Sequence, residues 1–527
     1  MNARTVVILL LAVMFCLVAL LVLFPKGGLP FPALVNPQQE KPSYQSVPVD
    51  PAGGSVKNDP FRVRAWGISG EQVNVQWHTL KTTLPVSRYV VVRDGKVSGS
   101  PRNNPYLMSW SDTGLSPNTR YCYRVYGLDA TGTVMNTSPD VCAVTGPHTV
   151  FRKSPYLLYP GEPTRMTVLF QAWSAPQVAS LEWGPDLTYG NGPVRFTGMD
   201  SGTDKHLLSA TITNLTPGTR TYYRVTVDGE RYNSSFVAAS AWASDNLTFY
   251  AYGDSRSHPE VHEVVVSRIL ADMKKDPDTR QTFVVHGGDF VEEGADEQYW
   301  DNEFFNRNCP TVREMIASVP LLGVLGNHEY YIETGGDAPA NTTVPFGKYF
   351  PYPGYPAQAP VESEYYYSVD YGPLHLTVLD SYPQNSSGYS QNYQPTTAQY
   401  QWLKKDLAGA DRPWKVVAIH TPVYHPYVKD PVAEQYLVPL FMEYNASLVI
   451  QGHVHDYARV SRDGIEYVTL GGGGAPLATS WTPEIQINPE RMETVYHFSR
   501  LEIKNATLTG IVFNTEGNTI DSFVIRK

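Results

Sequence analysis

Short runs with apolar residues at alternate positions fill the chain from about residue 59 to 243. Val73-Asn-Val75-Gln-Trp77 and Tyr89-Val-Val-Val92 lie in the first half of that stretch, Met166-Thr-Val168-Leu-Phe170 in the second. Period two with turn residues between the runs is the mark of strands with one buried face, and at this spacing it predicts β-sandwiches. Leu115-Ser-Pro-Asn-Thr-Arg-Tyr121-Cys-Tyr-Arg-Val125 recurs as Leu215-Thr-Pro-Gly-Thr-Arg-Thr221-Tyr-Tyr-Arg-Val225. An offset of this length means a duplicated domain, not a solenoid. Trp77 and Trp183 are read as core residues of the two modules.

From about residue 246 the period lengthens. Leu247-Thr-Phe-Tyr-Ala-Tyr252 reads as a strand, and residues 261–275 carry an apolar stripe at 261, 264, 265, 269 and 273, the spacing of a helix. Strands follow at 282–285 and 320–325, with a helix predicted over 296–317. Leu374-His-Leu-Thr-Val-Leu379, Trp414-Lys-Val-Val-Ala-Ile419 and Ala446-Ser-Leu-Val-Ile450 are further strands, alternating with helices near 397–410 and 432–443. This alternation predicts a layered α/β domain. Strands over 493–503, 507–514 and 521–525 complete it.

The N-terminus differs from all of this. Residues 6–24 are uninterruptedly apolar, long enough to cross a bilayer as a helix. No small-x-small cleavage pattern precedes Pro25, so an uncleaved signal anchor is preferred over a cleaved signal. Residues 25–58, rich in Pro, Gly, Gln and Ser, read as a stalk. Arg4 before the run and Lys26 after it leave only a slight positive-inside bias, which places the bulk of the chain outside. Cys122 and Cys142 sit on neighbouring predicted strands, either as a disulfide in an oxidising compartment or as two buried thiols. Asn-x-Ser/Thr sequons begin at Asn136, Asn214, Asn233, Asn246, Asn341, Asn385, Asn445 and Asn505, the acceptors expected of a glycoprotein where such a system exists. A net charge of −10 argues against a nucleic-acid grip, but not against small anionic substrates bound through a metal.

Chemistry concentrates at the ends of the predicted α/β strands. Gly253-Asp254-Ser255-Arg256, Gly287-Gly288-Asp289, Gly326-Asn327-His328-Glu329, His420 and Gly452-His453-Val454-His455 each follow an apolar strand. Open α/β sheets place their sites at these carboxyl ends. Carboxylates, an amide oxygen and imidazoles suit divalent iron, manganese or zinc, not a thiolate site. Two such ions sharing one carboxylate can clamp a phosphoryl group and activate water for in-line attack.

In these motifs residues 246–527 resemble the calcineurin-like metallophosphoesterases, in particular the purple acid phosphatase-like branch. The resemblance implies a four-layer α/β/β/α catalytic domain over 244–527. It implies a purple acid phosphatase N-terminal-like sandwich over 149–243. The Leu-x-Pro-x-Thr-x-Tyr run of the 59–148 module resembles the tyrosine corner of fibronectin type III domains, and in the second copy Thr221 replaces the corner tyrosine. With the anchor (1–24) and stalk (25–58), the expected architecture is multi-domain: two immunoglobulin/fibronectin III-like sandwiches, then the α/β domain. By the resemblance Asp254 and His455 hold a first metal, Asp289 bridges, and Asn327, His420 and His453 hold a second. His328 contacts phosphate and protonates the leaving group, and Glu329 supports the loop. The expected substrate is a small phosphate ester.

Two positions depart from the family pattern. Arg256 stands where many relatives have a metal-binding His, and Glu292 where purple acid phosphatases have the coordinating Tyr. Arg256 either contacts substrate phosphate as a fork of donors or pairs with a nearby carboxylate; the phosphate role is preferred. His425 is read as lining the pocket, whereas His258, His262 and His286 are equally compatible with structural roles. Residues 330–360, rich in Gly, Pro and Tyr, are read as a substrate-facing lid or a plain surface excursion. The competing function is a surface binding or adhesion protein with a degenerate phosphatase domain, supported by the altered first motif.

Overall fold

A computed structural model describes residues 63–527 except 68–69, 79–85, 100–106, 147, 199–205, 333–335, 338–343, 353–364, 383–392, 429 and 480–486. The anchor and stalk expected over 1–58 lie outside the described residues. Among the described residues no helix is long and apolar enough to cross a membrane.

The first module sets a sheet of Val63–Gly67, Gln72–His78 and Leu107–Thr113 against a second built around Arg88–Arg93 and Arg120–Leu128. Alternate residues of each strand fill the space between: Val73, Val75 and Trp77 meet Tyr89, Val91, Tyr123 and Val125. Cys122 and Cys142, directly opposed on antiparallel neighbours, are disulfide-bonded. The corner anticipated at Tyr121 is present, its hydroxyl accepting from the Ser116 amide at 2.9 Å. Where Thr221 replaces that tyrosine, Thr221 is buried and the turn is closed locally by Thr219 Oγ1 donating to Thr216 O at 2.7 Å.

The second module packs Phe151–Leu158, Met166–Ala172 and Leu207–Ile212 against Ala179–Gly184, Arg220–Val227 and Glu230–Val237. It is fastened to the domain that follows by a buried amine. Lys153 Nζ lies 2.5 Å from Asp301 Oδ1 and 3.2 Å from Glu297 Oε1, and Arg152 Nη2 is 2.6 Å from Asp301 Oδ2. Lys348 Nζ, 2.6 Å from Glu297 Oε2, completes a network in which three cations share the two carboxylates across this junction.

The α/β domain has two sheets. In one, Leu321–Gly323, Val284–His286 and Asn246–Tyr252 run parallel, and His497–Lys504, Thr507–Asn514 and Thr519–Arg526 continue it antiparallel. In the other, Leu374–Leu379, Trp414–Ile419, Leu448–Gln451 and Ile465–Leu470 are parallel neighbours. Leu376, Val416, Ala418 and Ile450 face the first sheet, sharing a core with Phe249, Val284 and Leu322. Their neighbours in sequence, Leu379, Val417, Ile419 and Val449, face helices Ala398–Gly409 and Pro431–Glu443. Strands buried on both faces read as continuous apolar runs, which is why these segments lack alternation. The helix Pro259–Met273 contributes Val265, Val266, Ile269 and Leu270 to the core of the first sheet.

Three expectations need correction. The helix predicted over 296–317 is two, Glu297–Asn302 and Pro310–Ser318. Asn306 caps a turn by accepting from the Asn308 amide, and Pro310, with no N–H to give, starts a new helix. The strand predicted over 493–503 is also two, Arg491–Glu493 on one sheet and His497–Lys504 on the other. Of the lid expected over 330–360, residues 344–352 are instead core, with Val344, Phe346, Tyr349, Phe350 and Tyr352 buried; most of the rest lies outside the described residues.

His375, on Leu374–Leu379, locks that strand to its hairpin partner and to the overlying helix. Nδ1 is 2.8 Å from Asp370 Oδ1 and Nε2 is 3.0 Å from Asp406 Oδ2, so both ring nitrogens face carboxylates and the imidazolium is the matching state. Burial opposes that charge, but the two hydrogen-bonded carboxylates raise the pKa from 6.5 to about 9. Its stabilisation is complete below pH 6.5 and lost as pH rises through 9. Denaturation midpoints should fall over that window by the equivalent of ~1–3 kcal/mol, and His375→Gln should remove this component of the pH dependence.

Candidate metal centre

Five loops meet where the parallel strands of both sheets end. Asp254 follows Asn246–Tyr252, Asp289 follows Val284–His286, and Asn327 lies beyond Leu321–Gly323. His420 follows Trp414–Ile419, and His453 and His455 follow Leu448–Gln451. Asp254, Asp289 and His453 have φ of 58°, 54° and 68°. This left-handed region is costly for residues other than glycine, though Asp, Asn and His tolerate it best. It turns each side chain sharply off its strand end and inward.

The glycines beside them let the loops touch. A Cβ on Gly326 would fall 2.2 Å from Asp289 Oδ1 and 2.6 Å from Asp289 N. Gly288, at φ 98°, would put one 2.5 Å from His420 Nδ1.

Two ligand clusters result, Asp289 with His420 and His453, and Asp254 with Asp289 and His455. His420 Nδ1 lies 2.7 Å from Gly287 O, so that nitrogen carries the proton and donates it. The opposite nitrogen, Nε2, then offers a lone pair, yet it stands 3.1 Å from Asn327 Oδ1 and 3.3 Å from Asp289 Oδ1. His453 Nδ1 is 3.0 Å from the same Asn327 oxygen. A lone pair facing two oxygens calls for a cation between them. Without a metal a proton serves: burial opposes charge on His420, but Asp289 raises its pKa to about 9. Burial works against the Asp289 charge too, yet His420, His328 and Arg256 hold it well below the usual carboxylate range. Burial pushes Asp254 well above that range, the response of a dry carboxylate needing a cation. His453 and His455 are lowered to about 3 and about 4, chiefly by burial, which keeps them neutral as ligands must be. The donor set therefore fits divalent metal ions.

His455 Nδ1 is fixed to Pro476 O at 2.7 Å, turning Nε2 toward Asp254 Oδ1 at 3.6 Å. His328 sits with Nδ1 2.7 Å from Glu292 O and Nε2 3.9 Å from Asp289 Oδ2. Glu329 accepts from the amides of Gly326 (2.7 Å), Phe290 (2.8 Å) and Asp289 (3.0 Å), tying two of the loops together. Arg256 takes the pairing alternative: Nη1 is 2.6 Å from Glu292 Oε2.

His425 does not join this group. It is fully buried, with Nε2 3.0 Å from Asp456 Oδ1 and Nδ1 accepting from the Tyr427 amide, so the pocket-lining role expected of it finds no support in its contacts. His262 and His286 are buried and bonded to Tyr252 Oη and Ser255 Oγ, and His258 Nδ1 is bonded to Gly474 O; these contacts are structural. Glu303 escaped the sequence reading. Its buried carboxylate accepts from the amides of Ser257 and Glu292, both at 2.9 Å, and so braces the turn after Arg256 against the Glu292 loop. Nothing in the local sequence marks it, since its partners are 46 and 11 residues away.

Residues 260–457 match the calcineurin-like phosphoesterase family model. The chain carries a calcineurin-like phosphoesterase domain, and purple acid phosphatases are among its homologues. It is similar to purple acid phosphatase 23 of Arabidopsis thaliana, 31% identical over 30% of this chain and 35% of that one. The purple acid phosphatase of Glycine max is 28% identical over 55% and 60%, and Fe(3+)-Zn(2+) purple acid phosphatase 12 of A. thaliana 27% over 40% and 49%. The chain thus spans from about a third to 60% of the length of these relatives. Among solved structures, purple acid phosphatase PPD1 from yellow lupin (Lupinus luteus) seeds superposes with a TM-score of 0.60 at 17% identity, covering 88% of this chain and 96% of that one. PhoD does so at 0.54 and 14%, covering 72% and 90%. Both share the fold.

The close approach at Gly326 gives a direct check. Gly326→Ala drives a methyl into the Asp289 carboxylate. The purified variant should lose most of the metal that the wild-type protein retains, by elemental analysis, while keeping its far-ultraviolet circular dichroism. Unchanged metal retention would mean that Asp289 is not held as described.

Proposed function

We propose that this chain is a metal-dependent hydrolase of phosphate esters, with Asp254 and His455 serving a first metal position, Asn327, His420 and His453 a second, and Asp289 both. The observation that carries this is the His420 lone pair directed at Asn327 and Asp289 oxygens, a geometry that a bound cation completes. The homology to purple acid phosphatases supports the reaction class. The donors suit iron, manganese or zinc, and the likeness to an Fe(3+)-Zn(2+) enzyme favours the first and last. When bound, such ions neutralise phosphate charge and acidify water for in-line attack.

The chain's own residues supply the rest. Asp289, with Oδ1 toward His420 and Oδ2 toward Arg256, is placed to serve both positions. His328 has Nδ1 anchored on the Glu292 carbonyl, which orients Nε2 for contact with a phosphate and for delivery of a proton to the leaving oxygen. Burial and the Arg256 charge lower the His328 pKa, so that proton is carried only once an anionic ester offsets them. Arg256, paired with Glu292, adds positive charge beside Asp289 and His455, which favours an anionic ester there. Against the binding-module alternative stand the intact second position and the His328 anchor. We place the domain on the outer side of a membrane, held by the apolar segment 6–24, and the Cys122–Cys142 bond supports an oxidising compartment.

Purified protein should contain divalent metal and turn over an aryl phosphate; metal-free, inactive protein would contradict the proposal. His328→Ala should keep its metal and lose about 10²–10⁴ in rate on alkyl phosphates. The loss should be clearly smaller on aryl phosphates whose phenols depart unprotonated. Equal losses on both would withdraw the general-acid role.

A further inference from the structure

A guanidinium lies beside the ligand cluster of the first position. Asp254, Asp289 and His455 offer three ligand atoms within 4.8 Å of one another. Arg256 Nη2 is 3.4 Å from His455 Nε2, the nitrogen those ligands would use, and Nε is 3.5 Å from Asp289 Oδ2. Nε is buried and makes no hydrogen bond among the described residues, aimed at the shared carboxylate without closing on it. The side chain is 12% exposed and firmly held. Besides the 2.6 Å contact to Glu292, Nη1 reaches Ser257 Oγ at 3.1 Å, and that hydroxyl itself bonds to Glu292 Oε2. Glu303, through the Ser257 and Glu292 amides, keeps the two segments in register. The pair is built into the site.

We propose that Arg256 and a metal ion compete for the first position. The chain then retains one metal ion firmly, between Asp289, Asn327, His420 and His453, and takes a second only weakly. This rests on the metal-dependent reading above and divides it into two unequal sites. A guanidinium cannot lose its proton to become a ligand. It offers only donors, so its contact to His455 Nε2 takes the single lone pair that a metal would need, and its charge lies beside Asp289 Oδ2 where that metal would sit. Its charge also repels an incoming cation within a buried space, where such repulsion is poorly screened. Entry of a second ion requires the guanidinium to move away from both ligands while Glu292, Ser257 and Glu303 hold it in place. No Arg or Lys faces the second position in the same way among the described residues. Glu292, 36 residues from Arg256 in sequence, is the element that makes the competition stable.

Full-length protein is saturated with Mn²⁺ or Zn²⁺, desalted, and analysed for metal, with a binding isotherm for the second equivalent. Wild-type protein should retain one equivalent and bind the second at least about 10–100-fold more weakly. Arg256→Ala removes the competing cation and frees the Glu292 carboxylate. It should tighten the second equivalent by about 10–100-fold, the usual scale for groups beside a metal ligand. His453→Ala should abolish the retained equivalent, whereas His455→Ala should leave it. Two equivalents of indistinguishable affinity in wild-type protein would overturn the inference and leave metal-dependent hydrolysis standing. So would an Arg256→Ala isotherm identical to wild type, or a retained ion lost with His455 and kept without His453. Wild-type protein that binds no metal would overturn the functional reading itself. Should Arg256→Ala fail to fold, the wild-type stoichiometry alone decides.

Discussion

Everything at the centre of this protein turns on an imidazole nitrogen that needs a cation, a metal ion or a proton, in front of it. His420 gives its Nδ1–H to the Gly287 carbonyl, and its other nitrogen faces the oxygens of Asn327 and Asp289. In a dry interior such an arrangement is repulsive until a cation enters it. The rest of the domain can be understood as the structure needed to hold those atoms in that opposition.

Holding them is costly, and the cost is spread over the scaffold. Asp254, Asp289 and His453 sit in left-handed backbone, and glycines at 288 and 326 bring the loops closer than any side chain would allow. Buried carboxylates then stitch the loops together. Glu329 joins the Asp289 and Asn327 loops, and burial with the nearby Asp289 charge raises its pKa to about 7. Glu303 does the same for Arg256 and Glu292, with burial and Glu292 raising it to about 8. Strain of this kind persists only where surrounding contacts over-determine the geometry. Here two sheets sharing a common core provide them, with Lys153 fixing the neighbouring sandwich to the helix Glu297–Asn302.

The strands that end at the site were legible because buried parallel strands leave apolar runs followed at once by glycine and a polar residue. Asp254, Asp289, Asn327, His453 and His455 stand out in this way, His420 directly follows its apolar run without a glycine, and the structure brings the six together. What sequence could not convey depends on contacts between distant segments. Arg256 and Glu292 each look like an isolated departure from a pattern, and only folding places one against the other. His425 follows a strand end by five residues like a site residue, but Asp456 draws it into the core. The division of 296–317 into two helices was marked in the sequence by Pro310. The lid expected around 330–360 failed for residues 344–352 because aromatic residues in a Gly- and Pro-rich stretch suit a core as well as a surface loop.

The central claim is that the atoms gathered around His420 hold a metal ion. Crystals soaked in Zn²⁺ or Mn²⁺, with data collected on either side of the metal's absorption edge, test it without reference to activity. An anomalous peak should appear about 2.0–2.3 Å from His420 Nε2, Asp289 Oδ1, Asn327 Oδ1 and a His453 ring nitrogen. If none appears there at saturating metal, and His420 Nε2 remains hydrogen-bonded to Asp289, the cluster is a protonated hydrogen-bond network and the account is wrong.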